Sequence, residues 1–213
     1  MFTEIDKILY PNKCEVIQVT SHNFIYPIFK NGSSSLYDTA NDNNWKILLN
    51  NQIEKCEKIT VFIREPLDRL YTGINSYIEE LINIGLDENT ILYFINNYAF
   101  LNRHYLPQIL WLTHLVRYAK SNVILSVKHI DDIKYVANHF TNRSKSKNYT
   151  FINKLDIISK LNFYISADEF LLKYINQEVT WSEIISRYKL ENSAGYDHIF
   201  AHAEKLSDAL PKI

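Results

Sequence analysis

Residues 23–40, NFIYPIFKNGSSSLYDTA, join an apolar, aromatic half directly to a polar half that holds a lysine, an asparagine, a glycine and consecutive serines. The first half, Phe24 to Phe29, has the composition of a buried strand. Gly32 supplies the backbone freedom a tight turn needs, and Ser33, Ser34 and Ser35 are residues that open and cap helices. A strand that turns this sharply into a helix aims several backbone N–H groups and the positive helix end at one point, where an anion can sit. Lys30 adds a mobile charge to that point. The order is not the GxxxxGK[ST] of a Walker A loop, because the lysine precedes the glycine. A run of this kind is, taken alone, equally compatible with an ordinary surface turn.

A second apolar run, Ile59 to Ile63, is rich in β-branched residues and ends at Arg64, Glu65 and Pro66, with the proline suited to the first turn of a helix. Apolar residues then recur at 67, 70, 71, 74, 77, 78, 81 and 82, the stripe of an amphipathic helix that Gly85 stops. Strand, helix, strand, helix is the order of a parallel sheet with crossover helices, whose ligands collect at the carboxyl ends of the strands. Lys30 and Arg64 each follow such a strand, so the two cations are expected to share one crevice. Glu15 to Thr20 and Asn122 to Val127 read as further strands. Trp45 to Ile53, Glu88 to Phe100, Pro107 to Ala119, His129 to Phe140 and Tyr196 to Leu210 read as helices. Ser166 with Glu169, and Thr180 with Glu183, have the spacing of capping boxes. The expected fold is α/β: a short parallel sheet flanked by helices, a P-loop-like nucleotide cradle and a helical C-terminal third, in one domain over residues 1–213.

Charge and cysteine usage narrow the partners. A formal net charge of -1 offers no general nucleic-acid face. Cys14 and Cys56 stand apart with no metal or redox spacing, which suits reduced thiols. The opening MFTEIDKILYPNK lacks the apolar core of a secretory signal, and the run ILWLTHLV is too short to span a membrane. A cytoplasmic protein with no membrane segment is expected. His198 and His202 stand four apart on one helix, a metal-ligand spacing with Asp197 adjacent, but no third ligand is identifiable and a solvated helix face is the reading, so no metal is expected.

PIFKNGSSSL at 27–36, VFIREPLDRLYTGINSY at 61–77 and RHYLPQ at 103–108 together resemble the sulfotransferases that use 3′-phosphoadenosine 5′-phosphosulfate (PAPS), in particular carbohydrate sulfotransferases and their bacterial relatives. The resemblance covers the first half of the chain. It implies that Lys30 meets the bridging region of the phosphosulfate and that Asn31, Gly32, Ser33, Ser34 and Ser35 surround the 5′-phosphate. The family's Arg-x-Pro-x-x-Arg-x-x-(Ser/Thr) run binds the 3′-phosphate, which implies that role for Arg64 and Thr72, with threonine in place of the more usual serine. Arg69 matches the second arginine, and Glu65, four residues earlier, is its expected ion-pair partner.

The implied reaction is sulfuryl transfer from PAPS to an acceptor hydroxyl, such as one on a carbohydrate, without a metal. The departing phosphate gathers negative charge that fixed donors must meet, and Lys30 with the loop amides can meet it. A hydroxyl acceptor also needs a base. His104 is the first candidate, since a neutral imidazole takes a proton near pH 7, with His22 and Glu65 behind it. The alternative for His104 and Gln108 is structural, fixing the start of the buried helix at Pro107. Arg143, Lys145 and Lys147 form a basic loop able to close over a nucleotide or meet an acidic acceptor. Two other functions fit the same residues: a P-loop-type nucleotide kinase or phosphotransferase, disfavoured by the missing Walker lysine, and a nonenzymatic nucleotide- or protein-binding module on a degenerate sulfotransferase fold.

Overall fold

The structure, a computed structural model, describes residues 13–98, 103–138, 140, 149, 151–197 and 199. In chain order these form β1 (Glu15–Gln18), β2 (Phe24–Tyr26), α1 (Ser33–Asp42), β3 (Lys46–Leu49), β4 (Lys58–Ile63), α2 (Pro66–Asn83), α3 (Glu88–Tyr98), α4 (Gln108–Tyr118), β5 (Ile124–His129), α5 (Lys154–Lys160), α6 (Asn162–Leu172), β6 (Glu178–Thr180) and α7 (Trp181–Glu191). The strands make one sheet in the order β3-β1-β2-β4-β5-β6.

The sheet is mixed rather than wholly parallel. β2, β4 and β5 run parallel at its centre, while β1, β3 and β6 add antiparallel edges. The reason is connection length. The turn from β1 to β2 is closed by the Val19 and Thr20 amides donating to the Asn23 carbonyl, and so short a link permits only an antiparallel return. Crossovers through α1, and then through α2 to α4, feed the parallel centre.

Alternation along the strands divides the core. Ile17, Ile25 and Phe62 face Leu36 and Ala40 of α1 and the segment carrying Ile130, Ile133 and Ala137. Val16, Phe24, Tyr26, Val61, Ile63, Leu125 and Val127 belong to the larger core with α2, α4 and α6. Helices therefore cover both faces. Among the described residues no helix is long and apolar enough to cross a membrane. Cys14 and Cys56 are buried free thiols, and burial pushes Cys56 up to about 11.

Several local expectations need correction. The stretch read as a helix over Trp45 to Ile53 is instead β3 followed by a 3-10 turn, Asn50–Lys55. Asn44 and Asn50 take positive φ values of 53° and 40°, which break a helix, and Ile47 pairs with Ile17 across the sheet. Ser166 caps nothing; it lies inside α6 and its hydroxyl donates one turn back to the Asn162 carbonyl. Thr180 and Glu183 do form the capping box of α7. The C-terminal third is interrupted by β6, and the segment after β5 begins as a 3-10 turn, Ile130–Tyr135. The basic loop at 141–148 and the last helix beyond residue 200, with His198 and His202, lie outside the described residues.

Gly73 shows how closely the layers approach. It sits inside α2, where glycine costs roughly 0.5–1 kcal/mol relative to alanine. A Cβ there would stand 2.3 Å from the His104 carbonyl oxygen. Gly73→Ala is therefore expected to destabilise the protein by roughly 1–3 kcal/mol despite alanine's better helix propensity. Urea denaturation midpoints measure this, and an unchanged or raised midpoint would contradict the close approach.

Candidate functional site

The turn after β2 is built by its own backbone. The Ile28 amide donates to the Tyr26 carbonyl and the Asn31 amide to the Ile28 carbonyl, both at 3.0 Å. Lys30 and Gly32 then adopt positive φ values of 66° and 74°, on either side of Asn31. Alternating handedness of this kind turns successive amides toward one concavity. Glycine suits position 32: its φ favours glycine, and a Cβ would lie 2.6 Å from Ile133 Cδ1, so the end of that side chain would have to shift. It is also the N-cap of α1, so no side chain caps that helix, and the first turn of α1 holds no acidic residue. Ser33 is buried, Ser34 exposed and Ser35 half-buried on this turn. The positive helix end thus faces the turn without a carboxylate of its own.

Buried polar groups fix the underside of the turn. Asn31 donates its side-chain amide to the Phe62 carbonyl at 2.6 Å and to Gln108 Oε1. Gln108, the first residue of α4, also clasps the backbone of Arg64, accepting from its amide at 2.9 Å and donating to its carbonyl at 3.0 Å. Arg64 in turn donates Nη1 to the Lys30 carbonyl at 3.4 Å. The ends of β2 and β4 are thereby tied together, and Lys30 and Arg64 border one place as their positions after parallel strands imply.

Arg69 does not make its pair with Glu65. It is buried, donates Nη2 to the Phe29 carbonyl at 3.2 Å and lies 3.9 Å from Asp168 on α6. Asp168 also accepts from the Gln108 amide, so it caps α4 from another helix. Burial raises the Asp168 carboxyl to about 6 and lowers Arg69 to about 10, each against the pull of the other.

Above the turn, the Lys30 ammonium sits 5.1 Å and the Arg103 guanidinium 5.0 Å from the centre of the Phe29 ring. Burial, with the charges of Arg103 and Arg69, holds Lys30 down at about 8 against the opposing pull of Glu80 and Glu79. Burial also lowers Arg64. Lys30, Arg64, Arg69 and Arg103 therefore lie around a short length of backbone, with Asp168 beside Arg69 and the charges of Glu80 and Glu79 acting on Lys30.

His104 meets Phe29 edge-on at 5.0 Å and places Nε2 3.2 Å from Glu80 Oε1. It is only 1% exposed. Burial and the positive charges of Lys30, Arg103 and Arg69 push its imidazolium form down to about 3, so the ring beside Glu80 is neutral and the contact is not an ion pair. Thr72 donates its hydroxyl to the Asp68 carbonyl at 2.8 Å and so engages its own helix. His22 is exposed on the β1–β2 turn, and Glu65 is exposed 4.0 Å from His129.

Lys30, Asn31 and Arg64 thus come together through hydrogen bonds, directly and by way of Gln108, with Gly32 next in the same turn and His104 joined through Phe29. Sequence reading missed Asp168 and Glu80. The only trace of Asp168 was an acid among the apolar residues of FYISADEFLL, and Glu80 lay off the apolar stripe of α2. A depression of about 500 Å³ at β6 and α7 shares none of these residues. No family model matches the chain, and no curated protein or solved structure matches it significantly.

Proposed function

We propose that the chain transfers a sulfuryl group from PAPS to an acceptor hydroxyl, with carbohydrate hydroxyls the first class to test. The observation that carries this reading is the contact from Arg64 to the Lys30 carbonyl, which joins the two cations that sequence places after separate strands. Lys30 and the amides of Gly32 to Ser35 would hold the 5′-phosphosulfate, and Arg64 the 3′-phosphate. Thr72 would turn its hydroxyl from the Asp68 carbonyl to the same phosphate. A lysine at about 8 keeps most of its charge at neutral pH, yet is desolvated enough for its field to count at the departing phosphate oxygen. A cytoplasmic setting belongs to this reading, and two free buried thiols support it.

Thermal melting with 3′-phosphoadenosine 5′-phosphate tests the site. At a hundred times its dissociation constant this product adds about 2.7 kcal/mol, which for a chain of this size raises the midpoint by about 5–10 °C. Mg-ATP should raise it far less. An equal or larger shift with Mg-ATP would favour phosphoryl transfer, and product binding without turnover of PAPS would favour a nonenzymatic module.

A further inference from the structure

We infer that Glu80, not His104, takes the proton from the acceptor hydroxyl, while His104 positions the Glu80 carboxylate; this rests on the sulfuryl-transfer reading above. The inference starts from one stripe of α2. Arg69, Gly73, Tyr77 and Glu80 are spaced by four, four and three residues and share a helix face. Arg69 reaches the Phe29 carbonyl, and Gly73 lies against the His104 carbonyl. Tyr77 stacks on the His104 ring with centroids 6.4 Å apart, and Glu80 meets His104 Nε2 at 3.2 Å. The stripe therefore runs beside the turn that carries Lys30 and ends at a carboxylate.

Exposure assigns the two roles. The His104 side chain is 1% exposed and walled by Phe29 and Tyr77, so an acceptor hydroxyl has no route to it. The Glu80 side chain is 51% exposed and open to an acceptor. A carboxylate has two oxygens, so the one beside His104 Nε2 leaves the other available to an acceptor. Contacts through Phe29 and His104 set Glu80 near the Lys30 turn, and Glu80 is the acid that pulls Lys30 up most. Among the described residues, Lys30, Tyr77 and Tyr105 feel the charge of Glu80, and His104 stands beside it. Glu79, the next residue back, points about 100° away around the helix.

The step balances as follows. The acceptor O–H gives its proton to Glu80 as the oxygen forms a bond to sulfur. The bond from sulfur to the 5′-phosphate oxygen breaks, and its electron pair stays on that oxygen, facing Lys30 and the loop amides. A sulfate ester and 3′-phosphoadenosine 5′-phosphate leave, and Glu80 returns its proton to water.

The test uses the full chain with PAPS and water as the probe acceptor, following formation of 3′-phosphoadenosine 5′-phosphate, with affinity for that product measured by calorimetry. Glu80→Gln keeps an oxygen for His104 but cannot take a proton. It is expected to slow turnover about 100-fold or more while product affinity stays within about twofold. Glu80→Asp, which keeps a shorter carboxylate, should lose less. Wild-type turnover in a folded Glu80→Gln protein overturns the inference and leaves the sulfuryl-transfer reading standing. A parent protein that neither binds the product nor turns over PAPS overturns both.

Discussion

Lys30→Ala is expected to slow sulfuryl transfer by two to three orders of magnitude, the loss of about 3 kcal/mol that follows removal of one fixed donor to a developing anion. The backbone makes this a clean substitution. Lys30 already holds φ at 66°, and alanine bears the same left-handed cost as lysine, so the fold should survive with little change in melting temperature. Lys30→Gly removes that strain and should be as inactive as alanine while being no less stable, which separates charge from conformation. Lys30→Arg should not restore the rate. Its planar fork, wider than a compact ammonium, would have to enter a space bounded by Phe29 and shared with Arg103. Single-turnover rates with saturating PAPS measure the effect at the chemical step. A folded Lys30→Ala protein that turns over at the parent rate would falsify the proposed function.

How much of this was legible follows from where each signal lies along the chain. The central strands declare themselves because Phe24–Tyr26 and Lys58–Ile63 are buried and rich in β-branched or aromatic residues, a pattern local to each segment. α2 is equally plain from its stripe, and Pro66 marks its start. β3 was not legible. KILL carries no strand alternation, and it becomes a strand because β1 offers a partner and two left-handed asparagines deny it a helix. β6 is three residues whose identity depends on β5. The site divides in the same way. Lys30 and Arg64 could be placed together from sequence because each closes a strand, and β2 and β4 pair in parallel register at Tyr26 and Val61. Arg69 could not be placed, since helix spacing points to Glu65 whereas the acid that meets it is carried by α6. His104 was recognisable as a histidine near the site, but its burial, and hence the inference that it serves Glu80, depends on Phe29 and Tyr77 arriving from two other segments.

Asp168 is where fold and site depend most on one side chain, and Asp168→Ala is expected to cost about 3–5 kcal/mol, the usual penalty for stripping a buried charge of its partner. For a chain of this size that lowers the melting midpoint by about 6–20 °C. Two losses combine: Arg69, 2% exposed, keeps a charge with no acid 3.9 Å away, and the Gln108 amide loses its acceptor at the start of α4. Asp168→Asn separates them. Its amide oxygen can still accept from Gln108, so it should retain part of the lost stability and leave only Arg69 uncompensated. The double change Asp168→Leu with Arg69→Met should be less damaging than Asp168→Ala alone, since burial already pushes both groups toward their neutral forms and apolar replacements remove that cost. Affinity for 3′-phosphoadenosine 5′-phosphate then reports on the turn. Arg69 holds the Phe29 carbonyl and Gln108 holds Asn31, so Asp168→Ala should weaken product binding although Asp168 has no place in the anion site itself. If stability falls but affinity does not, the clasp of Gln108 on Arg64 is sufficient to shape the turn, and Asp168 supports only the packing of α4 on α6.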